Sequence, residues 1–293
     1  MTFQYDYPLF RPPAEANNLI LQVTLGCSHN LCSFCSMYKD KKYKIKNNTL
    51  IFKEIDTLAN MYPNTIKIFL ADGDALSIPY TQLLQILEYL NKSFLKLRRI
   101  SVYATSQNVL NKTNEELKEL SKYKLNLIYF GIETGNDNLL VKINKGVNQN
   151  ELISSLNKAS NANIKISATI ILGIGGKEYS KEHIKQTAYI INNTNLNYLS
   201  TLQLGLEENE AVDFYKNFKI FTHLNDFEIL DEQKKLIELL NVKNKVIFRS
   251  NHASNALHLS GTLPKDKEKL LEQINIAISK GDDALVPKIL RGF

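Results

Sequence analysis

The sequence predicts an α/β fold in which strands and helices alternate around a parallel sheet with right-handed crossovers. Two observations lead there. Six short apolar runs of β character recur along the first 205 residues. Stretches whose apolar residues repeat at helical spacing separate them. A third observation places the chemistry: the cysteines, glycines and small polar residues gather directly after strands, the end at which parallel α/β sheets carry their sites.

Residues 19–25 form the first run and end at Gly26. Leu50, Ile51, Ile55, Leu58, Ala59 and Met61 then mark a helix over 49–61. Residues 65–71 are a second strand, followed by Asp72-Gly73-Asp74-Ala75 and a helix through Leu83, Leu84, Ile86, Leu87 and Leu90. A third strand covers 100–105, and Thr113 to Glu116 opens a helix with a capping-box arrangement. The fourth strand, 126–132, runs into Gly131-Ile132-Glu133-Thr134-Gly135. After a helix near 149–161, the fifth strand, 165–172, ends in Gly173-Ile174-Gly175-Gly176-Lys177-Glu178. A helix over 180–192 leads to a sixth strand near 198–204. Beyond residue 205 the pattern changes. A charged loop at 207–210, a helix at 231–240, a short strand at 245–249, a polar loop at 250–264 and an amphipathic helix at 265–279 follow. Residues 206–293 therefore read as a mixed C-terminal extension capping a core of residues 1–205, without independent folding.

The 44% hydrophobic content supplies a sizeable core, and 12 glycines and 7 prolines give no linker signal. No apolar run is long enough to span a bilayer, so no membrane insertion is expected. Residues 1–8 lack a basic stretch followed by an apolar one, which points to a cytoplasmic protein with reduced thiols. In that compartment the acceptor pattern at Asn47 carries no meaning. The net charge of +6 is spread along the chain, and its densest run, 39–44, reads as a solvated loop. The sharper reading is a basic rim for an acidic substrate, an electron donor or RNA. No nucleic-acid module is visible.

All three cysteines lie within nine residues, Cys27, Cys32 and Cys35, spaced C-x4-C-x2-C. Thiolates so close converge at low closure entropy. Three of them suit an iron–sulfur cluster that keeps one iron open for a substrate or cofactor. Two further readings stand beside it. One is a zinc module using Cys27, His29, Cys32 and Cys35, although two donors only two residues apart make an awkward bite. The other is a cluster protein that carries or senses electrons.

The cysteine stretch resembles the cluster loop of the radical S-adenosylmethionine (SAM) enzymes, with one residue more between the first two cysteines than the usual C-x3-C-x2-C. The resemblance implies an open (β/α)6 partial TIM barrel. It also implies one [4Fe-4S] cluster on Cys27, Cys32 and Cys35, and SAM on the open iron. SAM is then cleaved reductively to a 5′-deoxyadenosyl radical that abstracts hydrogen from a substrate. Phe34, before the last cysteine, is implied to pack near the adenine. Asp72, Gly73 and Asp74 are similar to a Gly-Gly-Glu-Pro motif that holds the SAM amino group, although only Gly73 is identical. Residues 131–135 with Ile143-Asn144-Lys145-Gly146 resemble the branch containing methylthiotransferases, the Elongator catalytic subunit and oxygen-independent coproporphyrinogen oxidase. Glu133 is thereby expected at the SAM amino acid or ribose, and Lys145 at its carboxylate. Gly173 and Gly175 are expected at the adenine. Thr105, Ser106 and Gln107 are expected at ribose or substrate. In the extension, Arg249, Asn251, His252 and Asn255 are the candidate substrate contacts, and residues 249–265 resemble an uncharacterised group of short radical SAM proteins. A flavodoxin- or ferredoxin-type electron donor is the implied partner.

Overall fold

The computed structural model describes residues 5–292, apart from the side chains at 209 and 210, so the first four residues of the N-terminal stretch read above lie outside the described residues. Two compact units make up the chain. One comprises Met1–Asn30, Met37–Phe130 and Asn157–Ile166, and the other Leu31–Ser36, Gly131–Leu156 and Ser167–Phe293.

The first unit contains β1 (Leu19–Gln22), β2 (Thr24–Leu25), β3 (Lys44–Ile45), α1 (Asn48–Met61), β4 (Lys67–Ala71), α2 (Tyr80–Ser93), β5 (Arg99–Ala104), α3 (Ser106–Leu110), α4 (Asn114–Lys122) and most of β6 (Leu125–Glu133). Here β1, β4, β5 and β6 pair in that order, all parallel. Ile51, Ile55 and Leu58 of α1 and Leu83, Leu87 and Leu90 of α2 are buried, as are Ile68, Leu70, Ile100 and Val102 of the strands. The helical spacing read from the sequence thus marks the sides that pack. Asn47 caps α1 through its side chain, and Thr113 and Glu116 close the expected capping box at α4.

The second unit contains α5 (Asp137–Lys142), most of α6 (Gln149–Asn161), β7 (Lys165–Leu172), α7 (Gly176–Asn192), β8 (Tyr198–Gln203), α8 (Glu208–Tyr215), α9 (Asp226–Leu239), β9 (Val246–Ser250), β10 (Leu259–Leu263) and α10 (Lys267–Lys280). Strands β7, β8 and β9 are parallel, and β10 runs antiparallel beside β9. One face of these strands meets helices. Gln233 of α9 donates to Thr201 Oγ1 at 3.1 Å, and a Cβ on Gly261 would lie 3.1 Å from Asp266 and 3.2 Å from Leu270.

The α/β class and the mostly parallel strands hold, and beyond the six core strands the second unit continues through β9 and β10. The extension supplies the additional two. The strand expected at 245–249 is β9, whereas the polar loop expected at 250–264 contains β10. Its sequence Leu-Ser-Gly-Thr-Leu has too few apolar residues to announce a strand, and pairing with β9 forms it. Three further local readings change. The charged loop at 207–210 is the start of α8, and residues 106–110 and 137–142 are short helices. The first run is divided, so that β2 leaves the main sheet and pairs with β3 across the base of the cysteine segment. The basic run 39–44 is not simply solvated: Lys41 has a 7% exposed side chain and pairs with Asp72.

Candidate active site

The end of β4 grips the start of the cysteine segment. Gly26 N donates to Asp72 Oδ2 at 3.2 Å, and Ser28 N donates to Asp74 Oδ1 at 3.0 Å. Ser28 Oγ also donates to Asp74. Cys27 therefore sits between two backbone amides, each held by a buried carboxylate. Gly73 lies between those aspartates, and a Cβ there would come within 2.9 Å of Cys27 Cβ and 2.8 Å of the Tyr38 ring. Only glycine permits that approach. Burial pushes both carboxyl pKa values up. Lys41 opposes the shift at Asp72, as do Gly26 and Gln22, and Ser28 and Asn108 oppose it at Asp74. Lys41 Nζ reaches Asp72 at 3.1 Å and the carbonyls of Asp6 and Pro8 at 2.7 Å each. Thr105 is the N-cap of α3, closing a capping box with Asn108. Ser106 is buried beside it.

The second unit carries the other two cysteines. Ser33 N donates to Ile143 O at 3.0 Å, tying the cysteine segment to the turn after α5. Phe34 packs against a cluster that includes Leu139, Ile143, Ile171 and Ile174. Lys145 Nζ lies 5.8 Å from the Phe34 ring centroid, a cation–π geometry, and donates to Glu133 Oε1 at 2.9 Å. Burial pulls the Lys145 ammonium toward neutrality, but the Glu133 carboxylate and the Cys32 and Cys35 sulfurs outweigh it and hold the pKa above the usual lysine range. Glu133 is nearly buried and has φ +59°, a left-handed conformation that a non-glycine residue adopts only under local constraint. Gly131 makes room for the pair, since its Cβ would lie 1.9 Å from Glu133 Oε1.

Gly173 has φ +78°, and its N–H donates at 2.6 Å to Glu232, a residue of α9. Glu232 also accepts from Ser180 at 2.7 Å. Burial raises the Glu232 pKa to about 7, with the two donors pulling it back. Gly175 precedes α7 as its N-cap, and a Cβ there would strike Tyr179 at 2.8 Å. Among the candidate substrate contacts, Asn255 is buried and fully engaged. It accepts from Gln203 N and donates to Thr201 O, both at 2.7 Å, and to Ser250 Oγ at 3.0 Å. His252 Nδ1 lies 2.8 Å from Ser254 Oγ, and burial lowers its pKa. Arg249 and Asn251 are exposed.

The description "Radical SAM superfamily" matches residues 21–188, more than half of the chain. The chain belongs to the Radical SAM superfamily. The heme chaperone HemW of Bacillus subtilis (strain 168) is 27% identical over 172 residues, which cover 55% of this chain and 44% of HemW. The chain thus spans less than half the length of that curated relative. Two solved radical SAM structures share the fold. Coproporphyrinogen III oxidase (HemN) from Escherichia coli has a TM-score of 0.55 at 14% identity, covering 75% of this chain and 51% of HemN. The archaeal Elp3 of Methanocaldococcus infernus has a TM-score of 0.51 at 12% identity, covering 94% and 64%.

Radical SAM proteins use a [4Fe-4S] cluster and SAM. The donor set fits such a cluster. All three cysteines lie outside disulfides and are half-buried, and Cys32 and Cys35 stand close enough to Lys145 for their charge to act on its ammonium. Among the described residues no group of three or more His, Cys, Asp or Glu is drawn together for a single metal ion. That demand belongs to the Cys3His zinc reading. In a cubane each thiolate binds a different iron.

Lys41, Asn108 and Glu232 were not singled out from sequence. Each acts across a long stretch of chain or from within a helix, where its spacing resembles that of any surface polar residue. The one local signal was Asn108, three residues after Thr105, the position from which a capping box closes.

Proposed function

We propose that Cys27, Cys32 and Cys35 hold one [4Fe-4S] cluster and that the protein cleaves SAM reductively, generating a 5′-deoxyadenosyl radical that takes hydrogen from a substrate. The cluster, when reduced, supplies the electron for breaking the sulfonium C–S bond. The rest falls to the chain. Asp72 and Asp74 fix the backbone on both sides of Cys27. Glu133 and Lys145 form an ion pair suited to the ammonium and carboxylate of an amino acid, because each can exchange its partner for the matching group of SAM. Phe34, Gly173 and Gly175 supply apolar surface and close backbone approach for the adenine. Thr105 and Ser106 stand with them as ribose contacts. The largely buried Glu133–Lys145 pair, built on a left-handed glutamate, is the observation that carries this reading.

Residues 206–293 complete the core rather than stand apart. Glu232 of that segment holds Gly173 N, and β9 extends the strands begun by β7 and β8. The reading includes a cytoplasmic location with reduced thiols and a flavodoxin- or ferredoxin-type electron donor. No helix of the described residues is long and apolar enough to cross a membrane.

Anaerobic reconstitution with iron and sulfide, followed by SAM and dithionite, tests the proposal. The expected result is a visible-absorbing cluster of four irons per chain and formation of 5′-deoxyadenosine, both lost in C32S. A reconstituted cluster that leaves SAM intact favours the electron carrier, and stoichiometric zinc without iron favours the structural module.

A further inference from the structure

The strands of the second unit have two unlike faces. Pairing registers decide which residues share each, because side chains alternate along a strand and partners in register point the same way. Leu199 and Thr201 of β8 lie with Phe248 of β9 on the face toward the helices, as the Gln233–Thr201 bond shows. The opposite face carries Thr169, Ser200, Arg249 and Ser260 in one continuous row across β7, β8, β9 and β10.

The helix-side face is built mainly of apolar residues such as Leu199, Val246, Phe248 and Leu259, whereas this row is hydroxyl–hydroxyl–guanidinium–hydroxyl. Ser200 and Ser260 are the direct cross-strand partners of Arg249 on its two sides, each about 4.8 Å away across the sheet. Arg249 Nη1 donates to Phe248 O at 2.7 Å and reaches Gly261 O at 3.4 Å. The main chain thereby steadies one corner of the guanidinium. Among the described residues no carboxylate pairs with it, and its remaining N–H groups have no protein acceptor. A solvated sheet face ordinarily mixes charges of both signs; this row holds one cation framed by neutral donors. The row lies one register step, about 6.6 Å along the strand, from the row of Ile171. Ile171 packs in the same cluster as Phe34.

We propose that Arg249, with Ser200 and Ser260, is the anchor for an oxyanion on the substrate, a carboxylate or a phosphate. The inference rests on the radical SAM reading only in calling that ligand the substrate. The planar guanidinium offers two parallel N–H groups to two oxygens, and the flanking hydroxyls donate to the lone pairs that remain. Arg249 stands two strands over from Ile171, about 9.6 Å, and one step along, so a ligand anchored there can extend toward the cluster that holds Phe34.

The test needs neither cluster nor SAM, so its outcome is separate from that of the 5′-deoxyadenosine assay. The full chain is titrated calorimetrically with inorganic phosphate and with succinate, each against sodium chloride at matched ionic strength. Saturable one-site binding of at least one anion is expected. Phosphate alone points to a phosphate ester, succinate alone to a carboxylate substrate. R249Q is expected to weaken binding by about tenfold or more, and S200A and S260A each by about threefold, with unchanged thermal midpoints. R249K, which keeps the charge but loses the fork, should fall between R249Q and the unaltered chain. Binding that does not exceed chloride for either anion overturns the assignment, as does equal affinity in R249Q. If R249Q does not fold, unchanged affinity in both S200A and S260A overturns it equally.

Discussion

Asp72 and Asp74 hold the two neighbours of Cys27, one through Gly26 N and the other through Ser28 N. The spacing of the aspartates, one residue apart, matches the spacing of the amides they hold. Of the four residues between Cys27 and Cys32, the first, Ser28, is thus held at both its amide and its hydroxyl.

This grip predicts how Asp74→Ala behaves. The variant takes the acceptor from the N–H and hydroxyl of Ser28, an exposed residue that water can reach, at a net cost of about 0.5–1.5 kcal/mol. Groups that orient a ligand typically contribute 10–100-fold to affinity for a metal site. Iron retention after anaerobic reconstitution and gel filtration should fall by about tenfold, while far-UV circular dichroism stays unchanged. D74N, which keeps one acceptor oxygen, should lie between the two. Full iron retention in D74A would remove Asp74 from the cluster's support.

Gly131 and Gly135 occupy one motif but fail differently. A methyl at 131 meets the ends of two flexible side chains, Glu133 Oε1 at 1.9 Å and Lys145 Nζ at 2.9 Å. A methyl at 135 meets backbone, Gln186 O at 2.3 Å. Gly131→Ala should therefore fold with a modest loss of thermal midpoint but displace the ion pair and weaken SAM binding by about tenfold. Gly135→Ala should lose about 3 kcal/mol or fail to fold. Melting curves and equilibrium binding of SAM to the reconstituted protein separate the two. Normal SAM affinity in G131A would detach the pair from the cofactor.

Disrupting the same pair from its other end gives a third expectation. Lys145→Met leaves Glu133 as a nearly buried carboxylate in a left-handed backbone with no cation beside it. The cost is about 3 kcal/mol. It also removes the cation that stands beside Cys32 and Cys35. Reconstituted K145M should therefore bleach faster than the unaltered protein when challenged with a chelator. E133Q, which keeps the lysine, should resist the chelator as the unaltered protein does. Equal bleaching of K145M and unaltered protein would restrict Lys145 to the SAM side.

The residues that read clearly from sequence act locally. Cys27, Cys32 and Cys35 lie on one short segment, the glycines of 131–135 and 173–176 sit where strands end, and the alternation of apolar periods gave the α/β class. What stayed hidden depends on distant partners. Asp72 read as a ligand-facing carboxylate, and its partnership with Lys41 joins residues 31 apart. Asn255 read as a substrate contact because polar loops look alike, but its amide is spent on the backbone of β8 and on Ser250. Strand β10 carries little apolar sequence and exists through β9. The face on which Arg249 stands follows from register, which a single strand does not encode.

Two buried groups in the second unit predict opposing pH dependences. The Glu232 pKa is raised from 4.5 to about 7 by burial, so the folded chain keeps a proton that the unfolded chain releases. Its contribution is complete below pH 4.5 and is lost as pH rises to about 7. The His183 pKa is lowered from 6.5 to about 4 by burial, partly opposed by a main-chain bond to Ile171. Its contribution is complete above pH 6.5 and is lost as pH falls toward 4. The slopes, each at most about 1.4 kcal/mol per pH unit, have opposite signs between pH 4.5 and 6.5 and largely cancel there. Glu232→Gln should unmask the histidine, so that its thermal midpoint, relative to the unaltered protein, drops as pH is lowered through that window. His183→Gln should do the reverse, with a midpoint that rises relative to the unaltered protein over the same change. Because Glu232 also holds Gly173 N, E232Q should in addition weaken SAM binding at pH 8, where neither slope operates. A melting profile of E232Q parallel to that of the unaltered protein from pH 7 to 4.5 would show that the carboxyl titrates at its ordinary value despite its burial.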